Sequence, residues 1–201
     1  MKKVLLTISA LAVTAATIAA APASASNRHW TRPLSVVNAI DLPTFTPVEG
    51  ASTLVRDWHG VRMTYHTSGL EPGAAYTAWW VVFNRPDRCS DGVCGEDDIF
   101  EDPKPARTSV LWASGSIAGY DGIADFYAQL DRREKTGEVL FGPGLVNVFG
   151  AEIHVVIRTH GQPIPGAVDA QLSTFGGGCE TNYCADVQAA VHPPAKRSRS
   201  D

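Results

Sequence analysis

Nine residues, Ala75-Tyr76-Thr77-Ala78-Trp79-Trp80-Val81-Val82-Phe83, constrain the fold more than any other stretch of the chain. Pro72-Gly73 leads into them and Asn84-Arg85-Pro86 closes them, and their side chains are mostly aromatic or β-branched. Side chains alternate along a strand. Tyr76, Ala78, Trp80 and Val82 therefore take one face, and Thr77, Trp79, Val81 and Phe83 the other. Both faces are apolar. Such a strand is central and covered on both sides, and the other strands assemble around it.

Elsewhere Gly and Pro are scattered throughout, and no long stretch keeps a clean 3.6-residue period, which predicts a mostly β chain. Leu34–Leu42 reads as the first strand, broken by Pro43-Thr44-Phe45-Thr46-Pro47. Val61–Thr67 alternates, with Val61, Met63 and Tyr65 inward. Thr108–Ala118 and Ile123–Leu130 flank Gly119-Tyr120-Asp121-Gly122, whose Asp-Gly pair is a hairpin signal. Glu138–Phe141, Ala151–Thr159, Gln171–Phe175 and Asp186–Val191 complete the set. About eight strands at turn-separated spacing predict one all-β domain over residues 34–191, an antiparallel β-sandwich or barrel.

Met1-Lys2-Lys3, an apolar run from Val4 to Ala21 and the small-x-small site Ala23-Ser24-Ala25 have the form of a secretory signal over residues 1–25. They predict a secreted, extracellular protein. Residues 26–33 read as a flexible lead-in and 192–201 as a disordered basic tail. After the signal, no stretch is apolar for long enough to form a transmembrane segment. Once Lys2 and Lys3 leave with the signal, the balance of charge is −6. The segment from Asp87 to Asp102, with seven acids against Arg88, carries all of that excess. A nucleic-acid partner, which needs a basic face, is excluded.

The four cysteines form two identical spacings, Cys89-x4-Cys94 and Cys179-x4-Cys184. In an exported chain an even count implies disulfides. Three connectivities are open. Turn formers in both spans favour local pairing, each ring contributing about 2 kcal/mol through loop entropy, with a four-Cys zinc as the rival.

Two groups could hold a metal. Asp91, Glu96, Asp97 and Asp98 lie in or beside the first cysteine ring and offer the hard oxygens that calcium takes, without the spacing of an EF-hand. Glu152 and His154 share a strand face, about 6.6 Å apart, with Val156, Arg158 and His160. His154 and His160 are about 20 Å apart on a straight strand, so a transition metal here needs a ligand from elsewhere, such as His59 or His66. A nucleophile elbow, a His-Glu-x-x-His zinc motif and a phosphate-binding glycine loop are all absent. Trp30, Trp58, Trp112, Tyr120 and Tyr127 could build an aromatic platform for a sugar or peptide, although Trp112 reads as core.

Four pieces resemble a group of uncharacterised secreted bacterial proteins. These are Gly69-Leu70-x-Pro72-Gly73-x-x-Tyr76-Thr77-x-Trp79-Trp80, Cys89…Cys94-Gly95, Gly150-Ala151-Glu152-Ile153-His154, and Ser173-Thr174-Phe175-Gly176-Gly177-Gly178-Cys179. The chain is also similar to chordin-type (CHRD) β domains, which share a Gly-Leu-x-x-Gly turn and a later x-Ile-His strand. Those domains carry a paired His-Ile-His, and Glu152 stands in the first place here. The expectation is a disulfide-bonded β-domain that binds a ligand, such as a cell-envelope or extracellular polymer, rather than catalysing. The alternative is a metal-dependent secreted enzyme working from the Glu152/His154 face.

Overall fold

The computed structural model describes residues 28–38 and 43–195. The expected signal, the end of the first expected strand at 39–42 and the expected tail beyond 195 lie outside them. Eleven strands among the described residues build two antiparallel sheets: β1 (Arg28–Thr31), β2 (Leu34–Asn38), β3 (Pro43–Pro47), β4 (Gly50–Arg56), β5 (Gly60–Thr67), β6 (Ala75–Phe83), β7 (Thr108–Ile117), β8 (Ala124–Asp131), β9 (Val139–Phe141), β10 (Glu152–Thr159) and β11 (Ala185–His192). The four-stranded sheet runs β1-β4-β5-β8, and the seven-stranded sheet runs β3-β2-β11-β10-β6-β7-β9. Two short helices, α1 (Asp97–Phe100) and α2 (Val168–Ser173), sit in the connections. The two sheets face one another as a sandwich. No helix among the described residues is long and apolar enough to cross a membrane.

All nine residues of β6 are buried, as its two apolar faces require. It lies between β10 and β7. Tyr76, Ala78, Trp80 and Val82 enter the core between the sheets, with Leu54, Met63, Tyr65, Phe126 and Leu130 from the smaller sheet. Trp79, Val81 and Phe83 point the other way, into a second apolar layer with Val110, Ala106 and the Cys89–Cys94 pair, flanked by Ile99, Trp112 and Phe175. Loops, rather than a third sheet, cover that outer face.

Several expected elements differ. Gln171–Phe175 is not a strand: Val168–Ser173 is α2, whose Ala, Gln and Leu favour helix. It packs so closely on β7 that a Cβ at Gly115 would collide with the Leu172 carbonyl oxygen. The turn at Gly119–Gly122 forms, with Gly122 at φ 72° and the Gly119 N–H donating to the Ile123 carbonyl at 2.8 Å. The strands it joins nonetheless belong to different sheets, β7 pairing with β6 and β8 with β5. A turn signal reports local dihedrals and carries no information about which layer each strand enters. Arg28–Thr31, expected as lead-in, is β1 at one edge of the four-stranded sheet, and Pro43–Pro47, expected as a break, is β3 at one edge of the seven-stranded sheet, where proline is tolerated. The tail was expected to begin at His192, which instead ends β11 fully buried.

Candidate functional site

The acidic loop is organised around a disulfide. Cys89 and Cys94 are bonded at 2.03 Å. Asp98, almost wholly buried, spends both oxygens on this ring: Oδ1 accepts from the Ser90 N–H at 2.8 Å and Oδ2 from the Gly95 N–H at 3.1 Å. Asp91 accepts from the Val93 N–H at 2.8 Å, and Asp91, Glu96 and Asp97 are exposed. Among the described residues, no three of these carboxylates converge on one point. Asp98 therefore acts as a clamp on the loop. Asp98→Ala leaves two amides without their charged acceptor and is expected to cost about 2–3 kcal/mol in urea denaturation. A loss under about 0.5 kcal/mol, the size of an ordinary surface change, would contradict that role.

Glu152 and His154 do share the outer face of β10, and they bond each other: His154 Nε2 lies 2.8 Å from Glu152 Oε1. The imidazole also packs edge-on against Phe83, with ring centroids 4.9 Å apart. His59 is exposed at the β4–β5 turn, and His66 is exposed with Nδ1 2.8 Å from Asp125 Oδ1. Neither joins the pair, and among the described residues no third ligand does.

Two histidines that carry no sequence motif are buried with both ring nitrogens engaged. His160 has no exposed surface. Its Nδ1 lies 2.8 Å from the Gly177 carbonyl, which can only accept, so Nδ1 carries the proton. Nε2 then accepts from the Thr77 hydroxyl at 2.7 Å, and that oxygen accepts from the Trp79 indole N–H at 2.8 Å. Every polar atom of the chain is satisfied with a neutral ring, and burial pushes the pKa of His160 down in the same sense. His192 lies in the core between the sheets. Its Nε2 is 2.8 Å from Ser52 Oγ, and its Nδ1 is 3.0 Å from Nδ1 of His29. Ser52, His192 and His29 thus stand in the order of a nucleophile, a base and its orienting group. Ser52 has no exposed surface, so no substrate carbonyl reaches it.

Beside this triad Arg56 is buried, donating to the carbonyls of Val148, His192 and Pro193. Burial draws its pKa to about 10, which leaves it charged at neutral pH. Ser52, Arg56 and His192 are therefore a polar seam that stitches β4 to β11. Their inward positions on a strand are why no alternation revealed β4.

The outer face of the four-stranded sheet is different in kind. Strand register places Trp30 of β1, Thr53 of β4, Thr64 of β5 and Tyr127 of β8 in one transverse row. Trp30 is 60% exposed and Tyr127 66% exposed. Three inter-strand steps separate the two strand positions by about 14 Å, with the threonines between them. Arg28, Arg62 and Gln129 flank the row on one side, and the His66–Asp125 pair on the other. Of the other aromatics, Trp112 donates its indole N–H to the Leu172 carbonyl at 2.9 Å and is part of the fold. Trp58 leans edge-on against Phe149, and Tyr120 stands free on its turn.

A cleft of about 490 Å³ also opens at the edge of the sandwich, lined by Leu70, Glu71, Tyr76, Tyr183, Asp186 and Gln188. Its two acids are already engaged, Glu71 by Gln162 and Asp186 by Arg158. The sheet face is the arrangement that aligns two exposed aromatic residues in one row with hydroxyls between them. No family model, curated protein or solved structure matches this chain.

Proposed function

We propose that the protein is an exported, non-catalytic binding module whose ligand is a neutral polysaccharide of the cell envelope or extracellular matrix, lying across the outer face of the β1-β4-β5-β8 sheet. The observation that carries this reading is the row Trp30, Thr53, Thr64, Tyr127. Two exposed aromatic residues stand three inter-strand steps, about 14 Å, apart on one sheet face, with hydroxyls between them. A glycan presents apolar C–H faces and hydroxyls together. The rings suit the former by stacking and the threonine hydroxyls suit the latter by hydrogen bonding, while Arg62 and Gln129 beside the row are bonded to Asp57 and Asp131. Catalysis finds less support: the buried histidines are saturated with hydrogen bonds, and Glu152 and His154 are spent on each other. The signal-like N-terminus and the two disulfides favour an extracellular setting.

The test is retention on insoluble cell-wall or matrix polysaccharide, measured as a binding isotherm. Trp30→Ala and Tyr127→Ala are each expected to weaken retention at least about tenfold, the effect of losing a central aromatic anchor. Trp58→Ala, away from the row, is expected to leave it unchanged. Equal loss in all three variants, or in none, would remove the proposal.

A further inference from the structure

The second disulfide has an unusual neighbour. Cys179 and Cys184 are bonded at 2.08 Å, and His160 Nδ1 lies 3.9 Å from one sulfur and 3.8 Å from the other. Among the described residues this is the one place where three groups of metal-ligating type meet, their ligand atoms all within 4.8 Å of one another. The nitrogen–sulfur distances are close to what a bound zinc demands. A tetrahedral zinc with Zn–S of about 2.3 Å and Zn–N of about 2.0–2.1 Å holds nitrogen and sulfur about 3.5 Å apart and two sulfurs about 3.8 Å apart. The nitrogen already sits within about 0.4 Å of that spacing, and only the sulfurs must part.

We propose that reduction of the Cys179–Cys184 bond turns this corner into a zinc site of two thiolates and the His160 Nδ1, so that disulfide and metal are alternative states of one locus. This goes beyond the polysaccharide-binding face and does not depend on it. The chemistry balances with a dithiol as reductant. Its two hydrogens and two electrons pass to the sulfurs, the S–S bond breaks into two thiols, and the dithiol closes to its own disulfide. Zinc then displaces both thiol protons to water.

For Nδ1 to offer its lone pair, the ring proton must stand on Nε2. That atom faces Thr77 Oγ1 at 2.7 Å, an oxygen able to accept it while still receiving the Trp79 N–H. Thr77 is thus a ready outer partner of the kind that fixes the tautomer of a metal-bound histidine. The hydrogen bond to the Gly177 carbonyl is given up in exchange. Both cysteines are partly exposed, which gives an ion a way in and leaves the fourth position to water.

The experiment uses the full mature chain with Cys89→Ser and Cys94→Ser, so that only one cysteine pair remains. It is reduced with dithiol, desalted without oxygen and titrated with cobalt(II) as a spectroscopic stand-in for zinc. One equivalent is expected to bind with thiolate-to-cobalt charge-transfer absorption, and none before reduction. His160→Gln and Thr77→Val are each expected to weaken binding at least about tenfold. Thr77→Val decides the matter if the buried His160 variant does not fold. Absence of the absorption after reduction, its presence before reduction, or an affinity indifferent to the variants that fold overturns the proposal.

Discussion

Taking the protein from pH 7.5 to pH 4.5 is expected to cost it about 3 kcal/mol of stability through His192 alone. His192 is held neutral in the core, its pKa lowered to about 3 by burial first, then by His29, Arg56 and His154. In the unfolded chain the same imidazole takes a proton near its ordinary value of 6.5. Between those values the unfolded state binds more protons than the folded state. Stability is therefore full above pH 6.5 and falls as pH drops, by about 1.4 kcal/mol per pH unit, until the folded pKa near 3 is reached. The whole window amounts to about 5 kcal/mol, comparable to the entire stability of a modest domain. His29 and His160, whose pKa values burial also lowers, act in the same direction. His192→Gln can still bond Ser52 and does not titrate. Urea denaturation at the two pH values is expected to show a much flatter dependence for that variant than for the wild type. Equal slopes for both proteins would show that the seam between β4 and β11 is not what acid attacks.

Trp80→Ala is expected to destabilise the fold by about 3–5 kcal/mol, the range for emptying a large aromatic from a packed core. Trp80 is 1% exposed, on the central strand, and shares the core between the sheets with Leu54, Met63 and Phe126. Trp30→Ala, by contrast, removes an exposed ring from an edge strand and is expected to change stability by no more than about 0.5 kcal/mol. The comparison of urea midpoints therefore separates a tryptophan that holds the sandwich from one left free on its surface. A Trp30→Ala loss as large as that of Trp80→Ala would mean that Trp30 is structural and the proposed face is not a free surface.

What the sequence discloses depends on how local the deciding interaction is. The two apolar faces of Ala75–Phe83 need no partner to be recognised, and the strand is buried on both sides. The local disulfides follow from short spans with turn formers, and both are formed. The shared face of Glu152 and His154 follows from a period of two. Position within the sandwich is another matter. Nothing between Thr108 and Leu130 states that the chain changes sheets at its turn. Gln171 reads as strand until its side chain is seen donating to the carbonyls of His160 and Gln162, contacts that fix α2 from outside.

His192 and Arg56 are hidden for the same reason. A polar residue is expected at the surface, and only a partner far along the chain makes its burial tolerable. Trp30 lies in four residues of strand, too few to show a period, and its alignment with Tyr127 is a product of three strand pairings.

One measurement tests the binding face most directly: the polysaccharide isotherms of the Trp30→Ala/Tyr127→Ala double variant and of His154→Ala, each against wild type and each checked for an intact fold. A face-borne activity predicts that the double variant loses retention by two orders of magnitude or so, if the two rings act independently, while His154→Ala binds as wild type does. Retention preserved in the double variant and lost in His154→Ala would place the site on the opposite sheet and contradict the account.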